Sequence, residues 1–429
     1  MYVCGPTVYD VPHLGHGRFA LVFDVIRRYL EWRGFDVRFV SNITDIEDKI
    51  INKANEDGRS AEDVVAEYTK SWFEAMDLLG VRRPDDVPTA TGYVDQMVAY
   101  IADLVERGRA YQTPDGVYLA VETVEDYGLL AQQDLERMQV GGGERDIVGQ
   151  ENKRSALDFA LWKKAKPNEP AWPSPWEPGR PGWHIECTVM SLDLLGEGFD
   201  IHGGGDDLRF PHHENERAQA VAGGRGFCRY WLHNGMVMGK GGQKMSKSLG
   251  NYVSLPDLLD RIDPRALRVL TLRAKYRSPI EVADEHLADA AEQLQRLDRL
   301  AQRAGSGAVE ADSEVLDRFR AAMDDDFNTP AAVAVLMDAA RDANAALDAG
   351  DEARGGALAA AVFELAGAVG LALRSEADEV DAAALALAGE RDAARAAKDW
   401  ARSDAIRDEL QAMGWVVEDT AAGTRLRRG

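Results

Sequence analysis

Four groups of residues in this chain combine types and spacings that could do chemistry. The first is His13-Leu14-Gly15-His16, in a loop that follows the β-rich opening "MYVCGPTVYD" and leads into a helical pattern. Two imidazoles beside a helix N-terminus can donate hydrogen bonds to phosphate oxygens. The second is "KMSKS", Lys244 to Ser248, inside "GKGGQKMSKSLGN". Two lysines three residues apart suit the charge of a leaving pyrophosphate. Their Gly- and Ser-rich surroundings allow the loop to close as that charge develops. The third is Cys4, Cys187, His212 and Glu216. Two thiols, an imidazole and a carboxylate make a tetrahedral zinc set. His212 and Glu216 stand at i and i+4 in "PHHENERAQ" and so share a helix face, with His213 an alternative to His212. Either cysteine alone would read as a small buried apolar residue, and Cys228 in "GFCRYW" has no partner pattern. The fourth is "HGGGDD", His202 to Asp207. Its glycines, Gly204 among them, let backbone approach a ligand closely, and Asp207 can accept hydrogen bonds from ribose hydroxyls.

These groups need a scaffold that brings distant segments together. "MYVCGPTVYD" reads as a buried strand entering a loop, "GHGRFALVFDVIRRYLEWRG" as a helix stopped at Arg33-Gly34, and "DVRFVSNITD" as a second strand. Strand, helix and strand in this order imply a parallel sheet. A βα loop at the carboxyl end of such a strand is where these sheets bind nucleotides. The expected fold is α/β: a Rossmann-like parallel-sheet catalytic domain with an insertion, then an α-helical bundle and a small C-terminal α/β tail. Residues 1–83 and 181–243 form the two halves of the catalytic domain, and 84–180 the insertion, with "GVYLAVE" a strand within it. The "KMSKS" loop and a basic strip containing Arg265, Arg268, Arg273, Lys275 and Arg277 occupy 244–280. The bundle spans 281–375 and the tail 376–429.

Composition narrows the class. The net charge is −23, which argues against wholesale binding to membranes or nucleic acid but leaves room for a local basic groove. No apolar run reaches the roughly 18 residues that a membrane helix needs. Three cysteines in a chain of 429 residues do not make a disulfide framework and point to a reducing, cytoplasmic setting.

The pairing of "HLGH" with "KMSKS" resembles class I aminoacyl-tRNA synthetases. "MYVCGPTVYD", "SNITDIEDKI", "GRPGWHIEC", "DIHGGGDDLRFPHHENERAQ", "KMSKSLGN" and "AAKDWARSDAIRDEL" resemble the cysteinyl-tRNA synthetases over nearly the whole chain. The resemblance implies that ATP, with Mg2+, and L-cysteine form cysteinyl-adenylate, and that cysteine then passes to tRNA(Cys). It implies one zinc ion on Cys4, Cys187, His212 and Glu216 that takes the substrate's thiolate and so rejects serine. It also implies that His13, His16, Lys244 and Lys247 are catalytic, Lys247 touching ATP directly. Gly204 and Asp207 would hold the nucleotide, while Thr44, Trp183 and His202 line the amino-acid pocket. A monomer is expected.

Two departures stand out. Family members usually have about twenty residues before the first zinc cysteine, so either the start is mis-assigned or an edge hairpin is absent. Leu426 in "AGTRLRRG" takes the place of a tryptophan suited to stacking on an anticodon base. Two rival readings are a ligase that passes cysteine to an amino sugar and a non-catalytic RNA-binding paralogue. The terminal helix and the intact motifs disfavour both.

Overall fold

The computed structural model describes residues 1–132, 152–167, 169–239, 241, 243–244, 253–304, 309–374, 382–420 and 423–428. The chain divides into two compact units, residues 1–255 with 274–283 and residues 256–273 with 284–429. Among the described residues no helix is long and apolar enough to cross a membrane.

In the first unit the opening residues form a strand at the centre of a sheet. Tyr2–Val3 pairs in parallel with Val40–Ser41 on one side and Ile201–Gly205 on the other, and Tyr230–Asn234 continues the sheet. A central parallel strand is covered on both faces, and Met1 to Cys4 are all buried. The strand order reverses between Tyr2–Val3 and Ile201–Gly205. That reversal opens a crevice at the carboxyl ends of the strands, the usual ligand site of such sheets.

The chain leaves the first strand through Gly5, where a side chain would collide with the backbone carbonyl of Asn42. It then enters the helix Leu14–Trp32, which buries Leu14, Leu21, Val22, Val25 and Ile26. The helix ends at Arg33, and Gly34 turns away with φ of 87°. Residues 110–181 supply a second sheet, antiparallel, of Ala110–Thr113, Gly116–Leu119, Phe159–Lys164 and Gly179–Pro181. The strand expected in "GVYLAVE" is the second of these. Trp162 is wholly buried and its Nε1 donates to the Glu177 carbonyl at 3.1 Å, which ties the Pro-rich connection to this sheet.

The second unit is helical. Asp284–Ala304, Ser313–Asp324, Thr329–Asp348 and Glu352–Ala368 bury Leu294, Leu297, Phe319, Leu336 and Leu365. Ala332, Ala339, Ala343 and Ala361 are also buried, so the Ala-rich composition serves close helix packing. Two members of the expected basic strip are spent here. Arg265 forks onto Asp298 at 2.9 Å with both nitrogens, and buried Arg268 donates to the Val369 carbonyl at 3.1 Å. Arg273, Lys275 and Arg277 are exposed. At the end of the chain, helices Ala382–Ala396 and Trp400–Ala412 accompany the hairpin Trp415–Thr420 and Gly423–Arg428. Leu426 pairs with Val417 across the hairpin and packs on a small core of Ala384, Ile406, Leu410 and Trp415.

Arg18 fastens the first helix to the segments that follow the sheet. It is 1% exposed, and its Nη1 donates to the carbonyls of Gly235 at 2.7 Å and Met236 at 2.8 Å. Its Nη2 donates to the Ser278 carbonyl. Burial lowers its pKa only to about 10, so it stays charged near neutrality. Arg18→Met removes this donor from the Met236 and Ser278 carbonyls, while Gly235 keeps the Asn234 amide at 3.1 Å, and is expected to cost about 3 kcal/mol. Thermal or urea unfolding measures it, and an unchanged midpoint would refute the clamp.

Candidate active site

Cys4 follows the central strand directly, and its N–H donates to the Gly203 carbonyl of the neighbouring strand at 3.1 Å. Its thiol therefore sits where the strand order reverses. Cys187 comes from the helix Trp183–Leu195. His212 and Glu216 come from the turn Arg209–His213 and the helix Glu214–Ala222 that continues it. The donor atoms of these four residues lie within 4.8 Å of one another, and all four are buried. Cys4 Sγ is 3.5 Å from Glu216 Oε1, and His212 Nε2 is 3.0 Å from the same oxygen. A second set, Cys4, His202, His213 and Glu216, satisfies the same limit. His202 Nε2 is 3.5 Å and His213 Nε2 3.4 Å from Cys4 Sγ.

The chemistry of this cluster fits a soft divalent cation. Burial pushes both thiols up and holds His212 and His213 neutral, well below the usual imidazole range. Among the described residues the ion pairs of Glu216 are with histidines. A bound cation supplies the charge that a carboxylate 0% exposed otherwise lacks. Outer contacts orient the rings, as metal-binding imidazoles require. His184 Nδ1 meets His212 Nδ1 at 3.0 Å, and His233 Nε2 meets His213 Nδ1 at 2.8 Å.

His13 and His16 form a reciprocal cap on the first helix. His16 N donates to His13 Nδ1 at 3.3 Å, and His13 N donates to His16 Nδ1 at 3.2 Å. The rings stack with centroids 3.7 Å apart. With both Nδ1 atoms accepting, a neutral ring carries its proton on Nε2. Burial lowers the pKa of both, His16 well below the usual value, so each presents a neutral N–H donor.

Trp183 stacks on His212 with centroids 4.2 Å apart. His202 is buried, its Nε2 3.2 Å from Glu216 Oε2, so it stands among the candidate metal donors. Gly204 is buried where a Cβ would come within 2.7 Å of the His213 ring. Asp207 is exposed and close enough to His13 to act on it electrostatically. Thr44 is buried, and its hydroxyl donates to Glu186 Oε2 at 3.0 Å. Lys244 ends the strand Gln243–Lys244, antiparallel to Val237–Gly239, while Lys247 lies outside the described residues. His184, Glu186, Asn42 and His233 escaped sequence reasoning. None carries a spacing signal of its own, and only tertiary contacts reveal them.

Known proteins resemble this chain in sequence and fold. Residues 1–292 match the family described as tRNA synthetases class I (C) catalytic domain. Residues 318–374 match the DALR domain, and 377–427 the cysteinyl-tRNA ligase anticodon binding domain. The cysteine–tRNA ligase of Thioalkalivibrio sulfidiphilus is 48% identical over 443 residues, covering 100% of this chain and 95% of that protein. That of Laribacter hongkongensis is 46% identical, covering 100% and 94%. Among solved structures, Mycobacterium tuberculosis methionyl-tRNA synthetase with methionyl-adenylate superposes with a TM-score of 0.62 at 16% identity. That match covers 86% of this chain and 89% of the other, and it shows a shared fold.

Buried neutral histidines make stability depend on pH. The unfolded chain takes up protons near pH 6.5, while the folded pKa of His16 lies well below and that of His184 is about 3. The unfolded state therefore binds more protons below about pH 6.5, and stability falls as pH falls. Each such histidine contributes a slope of up to about 1.4 kcal/mol per pH unit. Unfolding titrations between pH 7 and 5 should show this slope, and His16→Gln should lower it by about one proton's worth. An unaltered slope in that variant would refute the assignment.

Proposed function

The chain belongs to the cysteine–tRNA ligase family, and from that membership we propose how its residues divide the work. It is an aminoacyl-tRNA ligase, and its substrates are L-cysteine, ATP and tRNA. In the first step a cysteine carboxylate oxygen attacks the α-phosphorus of ATP and expels pyrophosphate. In the second a ribose hydroxyl of the terminal adenosine attacks the acyl carbon and releases AMP.

What supports this reading is that a donor cluster and a histidine cap both follow directly on the central strand. The thiol, imidazole and carboxylate donors converge at Cys4, and the reciprocal His13–His16 cap begins nine residues later. The Nε2–H groups of His13 and His16 donate to phosphate oxygens as charge builds there. Because both rings are neutral, they offer hydrogen bonds without a proton to lose. Lys244 and Lys247 neutralise the pyrophosphate end, with Mg2+ accompanying ATP. Asp207 accepts from the ribose, and Gly204 leaves room for it. Thr44, Trp183 and His202 surround the amino acid. A zinc ion bound by Cys4, Cys187, His212 and Glu216 supplies a soft Lewis acid that prefers the thiol of cysteine to the hydroxyl of serine. Apolar contacts alone separate such isosteres poorly. Three free cysteines suit a cytoplasmic enzyme.

The match of residues 377–427 to an anticodon-binding domain favours tRNA over an amino sugar as the acceptor. With Leu426 packed into the tail's own core, the exposed aromatic of that region is Trp400, 59% exposed at the start of its helix. We assign Trp400 the base-stacking role.

The first test is charging of a tRNA bearing a GCA anticodon with labelled cysteine. Charging, together with cysteine-dependent ATP–pyrophosphate exchange that is lost on chelation and restored by zinc, supports the reading. Exchange without charging moves the acceptor away from tRNA. Trp400→Ala should lower kcat/KM for tRNA by about 5- to 150-fold, the equivalent of one stacked base, and leave exchange unchanged. Equal loss in both assays would remove Trp400 from tRNA recognition.

A further inference from the structure

Beside the two cysteines runs a row of buried hydrogen bonds that starts from a backbone donor. Gly5 N, the amide after Cys4, donates to Asn42 Oδ1 at 2.8 Å. That contact sets the oxygen of the Asn42 amide, so its nitrogen faces the other way. Asn42 Nδ2 donates to Thr44 Oγ1 at 3.1 Å. Thr44 Oγ1 donates in turn to Glu186 Oε2 at 3.0 Å. Asn42, Thr44 and Glu186 are 1%, 2% and 0% exposed. Glu186 immediately precedes Cys187 on its helix.

A hydroxyl has one proton and two lone pairs, and free in solution it can serve a ligand in either sense. Here the Thr44 proton is committed to Glu186 and one lone pair to Asn42. What remains on Oγ1 is a second lone pair. Glu186 Oε1, also buried, has no hydrogen-bond partner among the described residues. On the Thr44 and Glu186 side of the row, the unspent groups are thus a lone pair of Thr44 Oγ1 and the unpartnered Glu186 Oε1, and a native structure rarely leaves such a group idle. The ligand that completes it must bring N–H donors and preferably positive charge. Of the groups on an amino acid, that is the α-ammonium and not the carboxylate.

We propose, resting on the reading of this crevice as the cysteine-activating site, that Glu186 is a positioning residue that makes Thr44 an obligate acceptor for the substrate's α-ammonium. Without Glu186 the Thr44 hydroxyl is free to rotate and donate, and the preference for an amine at that point is lost. Thr44 and Glu186 thus read the amine end of the substrate, while the cysteine cluster reads its thiol.

The test uses the full-length, zinc-loaded enzyme in ATP–pyrophosphate exchange with two competitive inhibitors. Cysteamine keeps the thiol and amine and lacks the carboxylate, and 3-mercaptopropionate keeps the thiol and carboxylate and lacks the amine. Glu186→Leu should weaken cysteamine about tenfold or more and raise the KM for cysteine in parallel, as expected for a lost hydrogen bond to a charged group. The KM for ATP, the zinc content and inhibition by 3-mercaptopropionate should stay within about twofold. Glu186→Gln, which keeps an acceptor oxygen, should restore cysteamine binding. Equal weakening of both inhibitors would show a merely structural role, and weakening of neither would show no role; either overturns the proposal. Should Glu186→Leu fail to fold, Thr44→Val carries the test, because loss of 3-mercaptopropionate alongside cysteamine would overturn the acceptor assignment equally. A wild-type enzyme with no cysteine-dependent exchange would instead overturn the parent reading.

Discussion

The first unit is organised around a buried concentration of groups that water would normally solvate. Cys4, Cys187, His202, His212, His213 and Glu216 are each at most 4% exposed, and their donor atoms crowd together where the sheet reverses its order. A carboxylate and two thiols in such a place are unfavourable unless something offsets their desolvation. The surrounding histidines do so in part, with His212 Nε2 3.0 Å from Glu216 Oε1 and His202 Nε2 3.2 Å from Oε2. Tyr2 stacks on His202 with centroids 5.3 Å apart, and Trp231 lies edge-on to the same ring at 4.7 Å. These aromatic contacts set ring planes, and ring planes set where nitrogen lone pairs point.

That requirement explains the density of fixed backbone around the cluster. The central strand is only two residues long, yet it is paired on both edges and fully buried. Gly5 allows its exit to press against the backbone of Asn42, and the Asn42 side chain closes back onto Gly5. Arg18, on the helix that begins at the His13–His16 cap, binds the carbonyls leading from the last sheet strand. The His13–His16 cap and the thiol cluster are thus tied to one frame by separate contacts. A shift in either would strain bonds that belong to the other.

Much of this was legible in the sequence, and the reasons differ from residue to residue. The strand–helix–strand opening followed from apolar spacing and the Arg33-Gly34 stop. The i, i+4 spacing of His212 and Glu216 foretold a shared face, and their side chains meet at 3.0 Å. His184 and His233 were invisible, because a single histidine in an apolar run gives no periodic signal. The direction of the Asn42–Thr44–Glu186 row also lies beyond sequence, since it depends on which amide atom meets Gly5. Arg265 and Arg268 show the reverse failure. Their spacing suggested a basic surface, but carboxylates and carbonyls distant in sequence draw both inward.

The acidity of the chain and its need to hold a polyanion are reconciled by placement rather than by count. A net charge of −23 is a sum over the whole molecule, whereas phosphate contacts depend on the field within about one Debye length, roughly 10 Å at moderate salt. In the tail, Asp419 receives three guanidinium groups, Arg391, Arg395 and Arg407. Asp392 joins the same group through Thr424, whose hydroxyl donates to Asp392 Oδ1 at 2.6 Å, so two carboxylates face three guanidinium groups. Arg391 is almost fully buried, so its role there is to hold the hairpin, through Asp419 and the hydroxyl of Thr424 at 2.7 Å. Arg395 and Arg407 keep about a third of their side-chain surface in solvent, at 35% and 37%. Asp419 orients both and leaves part of each guanidinium side chain in water, so an acidic protein can keep cationic groups accessible on this small tail.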